Sequence, residues 1–419
     1  MIGVSPAVAL IVGVEMSRVD ATIDASDVKY DPLDLEGDPY PAYRRLRVAA
    51  PVYAGVTHGM PFWAVSRFDD VQAAARDWQT FSSGGGNDLD DTGLLFGAEG
   101  ELTRADPPLH TRLRATVKRE FGTGAVRMRL EQTVRETART LLAELREHAL
   151  VDLARDLAYP LPAAVMCGWL GFPARDHGRL ARWHTLMVER APGRVGLTDE
   201  GVRAGGEMRA YVREALRRPV SRSGDDLLSA LAGAKAAGSL TEDEAVGGAM
   251  LLFVAGISTT SALISNSFLH LHRFGDQLRL LRRSPELIPQ AVEELLRFDA
   301  PFQWFTRVAA HDTEIRGVPI PAGGRVVLVW GSANRDERRW LQPDELLVRR
   351  ERQRHVSFGE GVHHCLGAPL ARMEARVVLE QALPAMADYQ PTGVVERRFT
   401  PSERTIVSLP TAVQWRGSW

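Results

Sequence analysis

The longest apolar segment of the chain is also its least charged, because between residues 245 and 269 no side chain carries a formal charge. That length would span a bilayer. Gly247, Gly248, Gly256, Ser258, Thr259, Thr260, Ser261, Ser265 and Asn266, however, put small and polar groups where a membrane span carries bulky apolar ones. Thr241 followed by Glu244 forms a capping box, which gives the segment a defined helical start in water. A helix apolar on every side and capped in water belongs in the middle of a large core. Apolar residues at helical spacing over 126–148 and 207–216 predict amphipathic helices rich in Arg and Glu. Strand-like runs are fewer: 52–53, 62–65, 325–329 and 405–409, several beside turns such as Pro321-Ala322-Gly323-Gly324. Two stretches, 82–101 and 192–206, lack periodicity and are rich in glycine, which predicts long surface loops or mobile lids. The pattern is mainly α with a minor β portion, and no low-complexity linker divides it.

Composition narrows the class. With 45% hydrophobic and 25% charged residues and a formal net charge of −2, the chain is that of an ordinary globular protein and is not built to coat nucleic acid. Its 419 residues would by length alone suggest two or three domains. Positive charge is almost all arginine, since Lys29, Lys118 and Lys235 are the only lysines. Two cysteines, Cys167 and Cys365, allow neither a disulfide framework nor a paired-cysteine zinc module, and suit a reducing cytoplasm. Residues 7–14 are apolar but too short for an anchor and lack a basic leading segment, so residues 1–16 are expected to be a disordered extension, Met16 being a second possible start.

The segment from His355 to Pro369 carries the candidate chemistry. Glycines 359, 361 and 367 permit a tightly turned loop, Pro369 suits the first turn of a helix, and Leu370, Met373, Val377 and Val378 continue an apolar helical face. Cys365 therefore precedes a helix N-terminus, where exposed amides favour the thiolate. A small buried hydrophobe is the ordinary reading of a lone cysteine and fits Cys167, flanked by Val165, Met166 and Trp169. For Cys365, three readings stand side by side. They are a small buried hydrophobe, a zinc site with His363 and His364, and a nucleophile with a histidine base.

Phe358-Gly359-x-Gly361-x-His363-x-Cys365-x-Gly367 resembles the haem-binding signature of the cytochrome P-450 superfamily, in particular its soluble bacterial members. The resemblance extends over roughly residues 30–415 and implies that family's fold, with residues 17–419 forming one domain around haem b. It implies that Cys365 is the axial thiolate ligand of the iron. It implies further that His110, Arg114, Arg307 and His363 meet the haem propionates, and that Phe358, Gly359 and Gly367 shape the loop beneath. Residues Asp106-Pro107-Pro108 lead into the helix that carries His110 and Arg114 four apart on one face, which suits an anion. Glu294 and Arg297, three apart, resemble the family's structural pair, with Arg350 as third member; on spacing alone such a pair is usually surface ornament worth about 0.3–0.5 kcal/mol. Leu346 and Leu347 stand where bacterial relatives commonly carry Phe and Asp.

Ala255-Gly256-Ile257-Ser258-Thr259-Thr260 resembles the oxygen-activation motif of the central helix. Gly256 would let the helix approach the haem, and a hydroxyl can bond back to the carbonyl one turn earlier. Thr259 aligns with the threonine that serves dioxygen. Ser258 departs from the family, which usually has Asp or Glu there; a serine hydroxyl passes a proton but holds no charge. The resemblance implies a monooxygenase that inserts one atom of dioxygen into a hydrophobic, aromatic-leaning secondary metabolite. Phe302, Trp304 and Phe305 would line the substrate, with Leu94, Leu95, Phe96 and the 192–206 region forming access loops. Ser258 keeps oxidative coupling or peroxide-driven chemistry open, and a non-catalytic haem sensor or carrier remains a third reading. A separate ferredoxin and its reductase would supply electrons, docking on Arg112, Lys118 and Arg119. The protein is expected to be a cytoplasmic monomer with no nucleic-acid or membrane partner.

Overall fold

The computed structural model describes residues 24, 27–33, 37–89, 101–191, 196–217 and 226–417. Most of this chain is helical, with small sheets at the margins. Its axis is the central helix Glu242–Arg273, and the expected capping box closes it: Thr241 Oγ1 accepts from the Glu244 amide at 3.1 Å, and the Glu244 carboxylate accepts from the Thr241 amide at 2.9 Å. Among the described residues this is the one helix long and apolar enough to cross a membrane, yet 72% of its most apolar stretch is buried inside the protein. Pro160–Leu170, Asp199–Ala215, Leu227–Ala236 and Ala368–Ala385 pack around it. In that packing its buried hydroxyls bond to the helix itself, Ser265 and Ser267 donating to the Ser261 and Leu263 carbonyls at 2.8 and 2.6 Å, while Asn266 donates to the Arg404 carbonyl at 3.0 Å.

The main sheet has strand order Val52–Thr57, Met60–Val65, Arg325–Leu328, Phe305–Ala309, Phe81–Ser82. All pairs are antiparallel except Met60–Val65 with Arg325–Leu328. The expected run at 405–409 holds the strand Ile406–Ser408, and a further strand beyond it, Pro410–Trp415, pairs with Leu150–Asp152 and Met386–Pro391. The expected helix at 126–148 spans Thr123–Leu145.

One sequence expectation is overturned. The stretch 192–206 is not a loop throughout, because Asp199–Ala215 is a continuous helix capped by Thr198, whose Oγ1 accepts from the Gly201 amide at 3.0 Å. Gly201 serves contact rather than flexibility: a Cβ there would lie 2.8 Å from the Leu186 carbonyl oxygen of the neighbouring helix His177–Val188. Residues 192–195, and Leu94, Leu95 and Phe96, lie outside the described residues.

The pair expected from Glu294 and Arg297 is buried rather than superficial. Arg297 donates to both Glu294 carboxylate oxygens at 2.7 and 2.9 Å, and Arg350 Nε meets the same oxygens at 2.9 and 3.1 Å. Arg297 also donates to the carbonyls of Asn334 and Pro343 at 3.0 and 2.9 Å, which ties the helix Ile288–Phe298 to the loop crossing beneath it. The Leu346–Leu347 departure is absorbed: Leu346 is buried, and the Leu347 amide donates to Glu294 at 2.9 Å.

Candidate active site

The central helix and the loop before Ala368–Ala385 face each other across a chamber. Ala255, Gly256 and Thr259 line it from the helix; Phe358, Gly359, His363, Cys365 and Gly367 line it from the loop; Phe302 and Phe305 close a third side, with ring centroids 4.5 Å apart. Thr259 Oγ1 donates to the Ala255 carbonyl at 2.8 Å, the bond to the preceding turn anticipated from the sequence. The position of Gly256 has a second cause: a Cβ there would lie 2.8 Å from Met166 Sδ, so the missing side chain also admits the helix Pro160–Leu170.

Cys365 is held by its amide, which donates to the Phe358 carbonyl at 2.8 Å across the tight loop. Gly359 adopts φ 67° there, a left-handed conformation that glycine takes without strain. The sulfur opens onto the chamber although protein surrounds it on all other sides. Burial pushes the thiol up; the amides of Gly367 and Ala368 and the cations Arg114 and Arg372 pull the other way. The sequence expectation that the helix start would favour the thiolate is thus outweighed by desolvation. Cys167 is the inert cysteine expected, buried and with its thiol pushed up to about 12.

On the chamber's rim four basic groups converge. The His110 and His363 rings lie 4.4 Å apart, and the Nε2 of each is buried without a hydrogen-bond partner. Arg307 is buried on the strand Phe305–Ala309 and donates to the Thr306 carbonyl at 2.7 Å; burial lowers it to about 10, with only Asp106 opposing. Arg114 reaches the His364 carbonyl at 2.7 Å. Burial, then Arg307, His110 and Arg114, hold His363 down at about 3. Asp106 lies 3.9 Å from His363 Nε2, and among the described residues Arg114 and Arg307 form no ion pair, so these desolvated groups suit a further anion in the chamber.

Other sequence candidates fall elsewhere. Trp304 is buried with its Nε1 donating to the Pro401 carbonyl at 3.1 Å, and it faces an adjoining cavity rather than the chamber. Ser258 also faces that cavity. Arg112, offered as a docking residue, is engaged at 2.8 Å with both Glu244 and the Ser239 carbonyl. Sequence reasoning missed Glu403, which Ser258 touches; nothing in its local sequence singles it out, because only the tertiary fold brings it to the helix.

A family model described as Cytochrome P450 matches residues 282–390. The vitamin D(3) 25-hydroxylase of Pseudonocardia autotrophica is 38% identical over 82% of this chain and 85% of its own length. The chain belongs to the cytochrome P450 family. The 6-deoxyerythronolide B hydroxylase of Saccharopolyspora erythraea is 35% identical over 83% of this P450 and 89% of its own chain. Among solved structures, a P450 of Bacillus megaterium in complex with testosterone superposes with a TM-score of 0.82 at 30% identity, covering 90% of this chain and 97% of that one. The protein is accordingly a P450 monooxygenase whose cofactor is haem, working with dioxygen, a hydrophobic substrate and a redox partner. The chamber fits that group: its walls are apolar, its rim offers unpaired cations to two propionates, and a thiol opens onto its floor. Among the described residues no three His, Cys, Asp or Glu side chains gather to hold a bare metal ion, which removes the zinc reading.

Proposed function

We propose that this P450, folded as one domain over residues 17–419, oxygenates a bulky hydrophobic secondary metabolite in the cytoplasm as a monomer, drawing electrons from a separate ferredoxin and its reductase. The observation that carries the reading is the chamber, in which Cys365 and Thr259 oppose each other while Phe302 and Phe305 supply an aromatic side wall. Leu251, Leu252 and Leu263 complete an apolar lining that selects against small polar compounds. Relatives named as a vitamin D(3) 25-hydroxylase and a 6-deoxyerythronolide B hydroxylase support a substrate of that size class.

Haem bound in the chamber supplies the activation of dioxygen. Cys365 would hold the iron, while His110, Arg114, Arg307 and His363 would take the propionates and so offset the cost of their burial. The Thr259 hydroxyl, anchored on the Ala255 carbonyl, presents its oxygen lone pair to the chamber and orders water there. The aromatic side wall keeps bulk water out and holds the substrate's apolar face.

The test begins with the ferrous carbon monoxide spectrum, which distinguishes thiolate-ligated haem. Cys365→Ser should abolish its characteristic band, and an unchanged spectrum would remove Cys365 as ligand. A panel of steroids, macrolactones and fused aromatics is then titrated for spectral shifts, followed by consumption of reducing equivalents. A compound that shifts the spectrum without stimulating consumption would favour the sensor reading over the enzyme.

A further inference from the structure

Ser258 and Thr259 are adjacent on the central helix but look into different spaces. Thr259 faces the chamber; Ser258 faces an adjoining cavity that shares Leu251, Ala255, Phe302 and Phe305 with it. Glu403 lines the same cavity beside Ser258. Ser258 Oγ and Glu403 Oε1 are 3.3 Å apart, and the other carboxylate oxygen accepts from Thr405 Oγ1 at 3.1 Å. Backbone bonds clamp the segment in place, from the Gln303 amide to the Ser402 carbonyl at 2.7 Å and from the Arg404 amide to the Pro301 carbonyl at 2.9 Å. Glu403 is also bridged through its backbone to Phe302, so its position is fixed to the strand segment that walls the chamber.

We propose that Glu403 is the proton reservoir of this enzyme, supplying through Ser258 the acid that the central helix itself lacks. This rests on the monooxygenase reading, in which each reduced dioxygen consumes two protons. A protonated Glu403 donates to Ser258 Oγ; as that O–H bond forms, the carboxyl O–H bond breaks, and Ser258 passes its own proton to a water molecule in the adjoining cavity on the Ala255 side, from which it moves on toward the chamber. The carboxylate left behind is refilled from solvent water through the same cavity. Burial favours the acid form, and it outweighs the attraction of Arg398 and Arg190 and the hydrogen bonds from Thr405 and Ser258. Glu101, itself pushed up to about 7 by burial, and Asp88 also line this cavity.

The decisive experiment uses the haem-loaded protein. At neutral pH, the infrared difference between wild type and Glu403→Gln should contain a protonated-carboxyl C=O stretch, and Ser258→Ala should shift that band without removing it. No such band, or one indifferent to Ser258→Ala, overturns the proposal. If Glu403→Gln does not incorporate haem, the Ser258→Ala shift alone decides. This arm needs no substrate, so it stands even if the compound panel fails. With a surrogate ferredoxin, its reductase and the panel compound giving the largest spectral shift, peroxide released per electron pair should rise about tenfold in Glu403→Gln and in Ser258→Ala. Coupling in wild type should fall with rising pH and be flat in Glu403→Gln. Ser258→Asp placed in the Glu403→Gln background should restore coupling, a rescue that a purely structural role for Glu403 does not produce. Unchanged peroxide yield in both single variants, or no rescue, also overturns it.

Discussion

Residue by residue, the chamber lining was legible wherever chemistry demands a side-chain type at a fixed spacing. Cys365, His363 and Thr259 all meet at the chamber, and the Thr259 hydroxyl bonds the Ala255 carbonyl as the one-turn spacing requires. What spacing could not show is desolvation, which raises the Cys365 thiol, and long-range contact, which brings Glu403 to Ser258. Thr259→Ala should divert electrons to peroxide while leaving the carbon monoxide spectrum intact, measured as peroxide formed per electron pair; unchanged coupling would remove Thr259 from proton delivery. A second residue-scale prediction concerns His184, fully buried on the helix His177–Val188 beside Tyr159, whose hydroxyl lies 3.2 Å from its Nδ1. Burial, then Arg398, hold it down at about 3. A histidine depressed in the folded state stays neutral there while the unfolded chain takes up a proton below about 6.5, so stability falls as pH drops through that window. Between pH 7 and 5 the apoprotein should lose roughly 2 kcal/mol through this group, seen in urea melts, and His184→Phe should flatten that slope.

At the scale of elements, the central helix was readable because its cap, its lack of charge and its length all pointed the same way. The helix Asp199–Ala215 was half missed because Gly201, Gly205 and Gly206 resemble loop composition. Their surroundings differ. Gly201 sits against the Leu186 carbonyl, where an added methyl has nowhere to go, whereas a Cβ on Gly206 meets nothing within 4 Å. Gly206→Ala should therefore stabilise the protein by up to about 1 kcal/mol through helix propensity. Gly201→Ala, despite the same propensity gain, should destabilise it by roughly 1–3 kcal/mol, because overpacking forces two helix backbones apart. Chemical denaturation of both variants checks the opposite signs; two stabilising results would mean the helices separate more easily than the 2.8 Å approach implies.

Over the whole molecule, the helix Leu109–Lys118 links the buried site to the surface. Its inner face buries Leu113 and Val117 and presents His110 and Arg114 to the chamber; its outer end exposes Lys118, with Arg119 directly following. A cationic outer end a few turns from the haem site suits an acidic electron donor, whose approach would be steered by charge and screened by salt. The sequence grouped Arg112 with these two, but its bonds to Glu244 and Ser239 make it a brace on the first turn of the central helix. The two roles separate experimentally. Lys118→Glu combined with Arg119→Glu should slow donor-dependent haem reduction several-fold at low ionic strength and flatten its salt dependence, with thermal stability unchanged because both side chains are exposed. Arg112→Ala should do the reverse: it leaves the salt dependence in place and lowers stability by about 1 kcal/mol, since Glu244 keeps its capping bond but loses its charged partner. Reduction kinetics of all three proteins across a salt series, beside their melting curves, decide whether this surface receives the electron donor. Salt-insensitive reduction in the wild type would place the donor elsewhere.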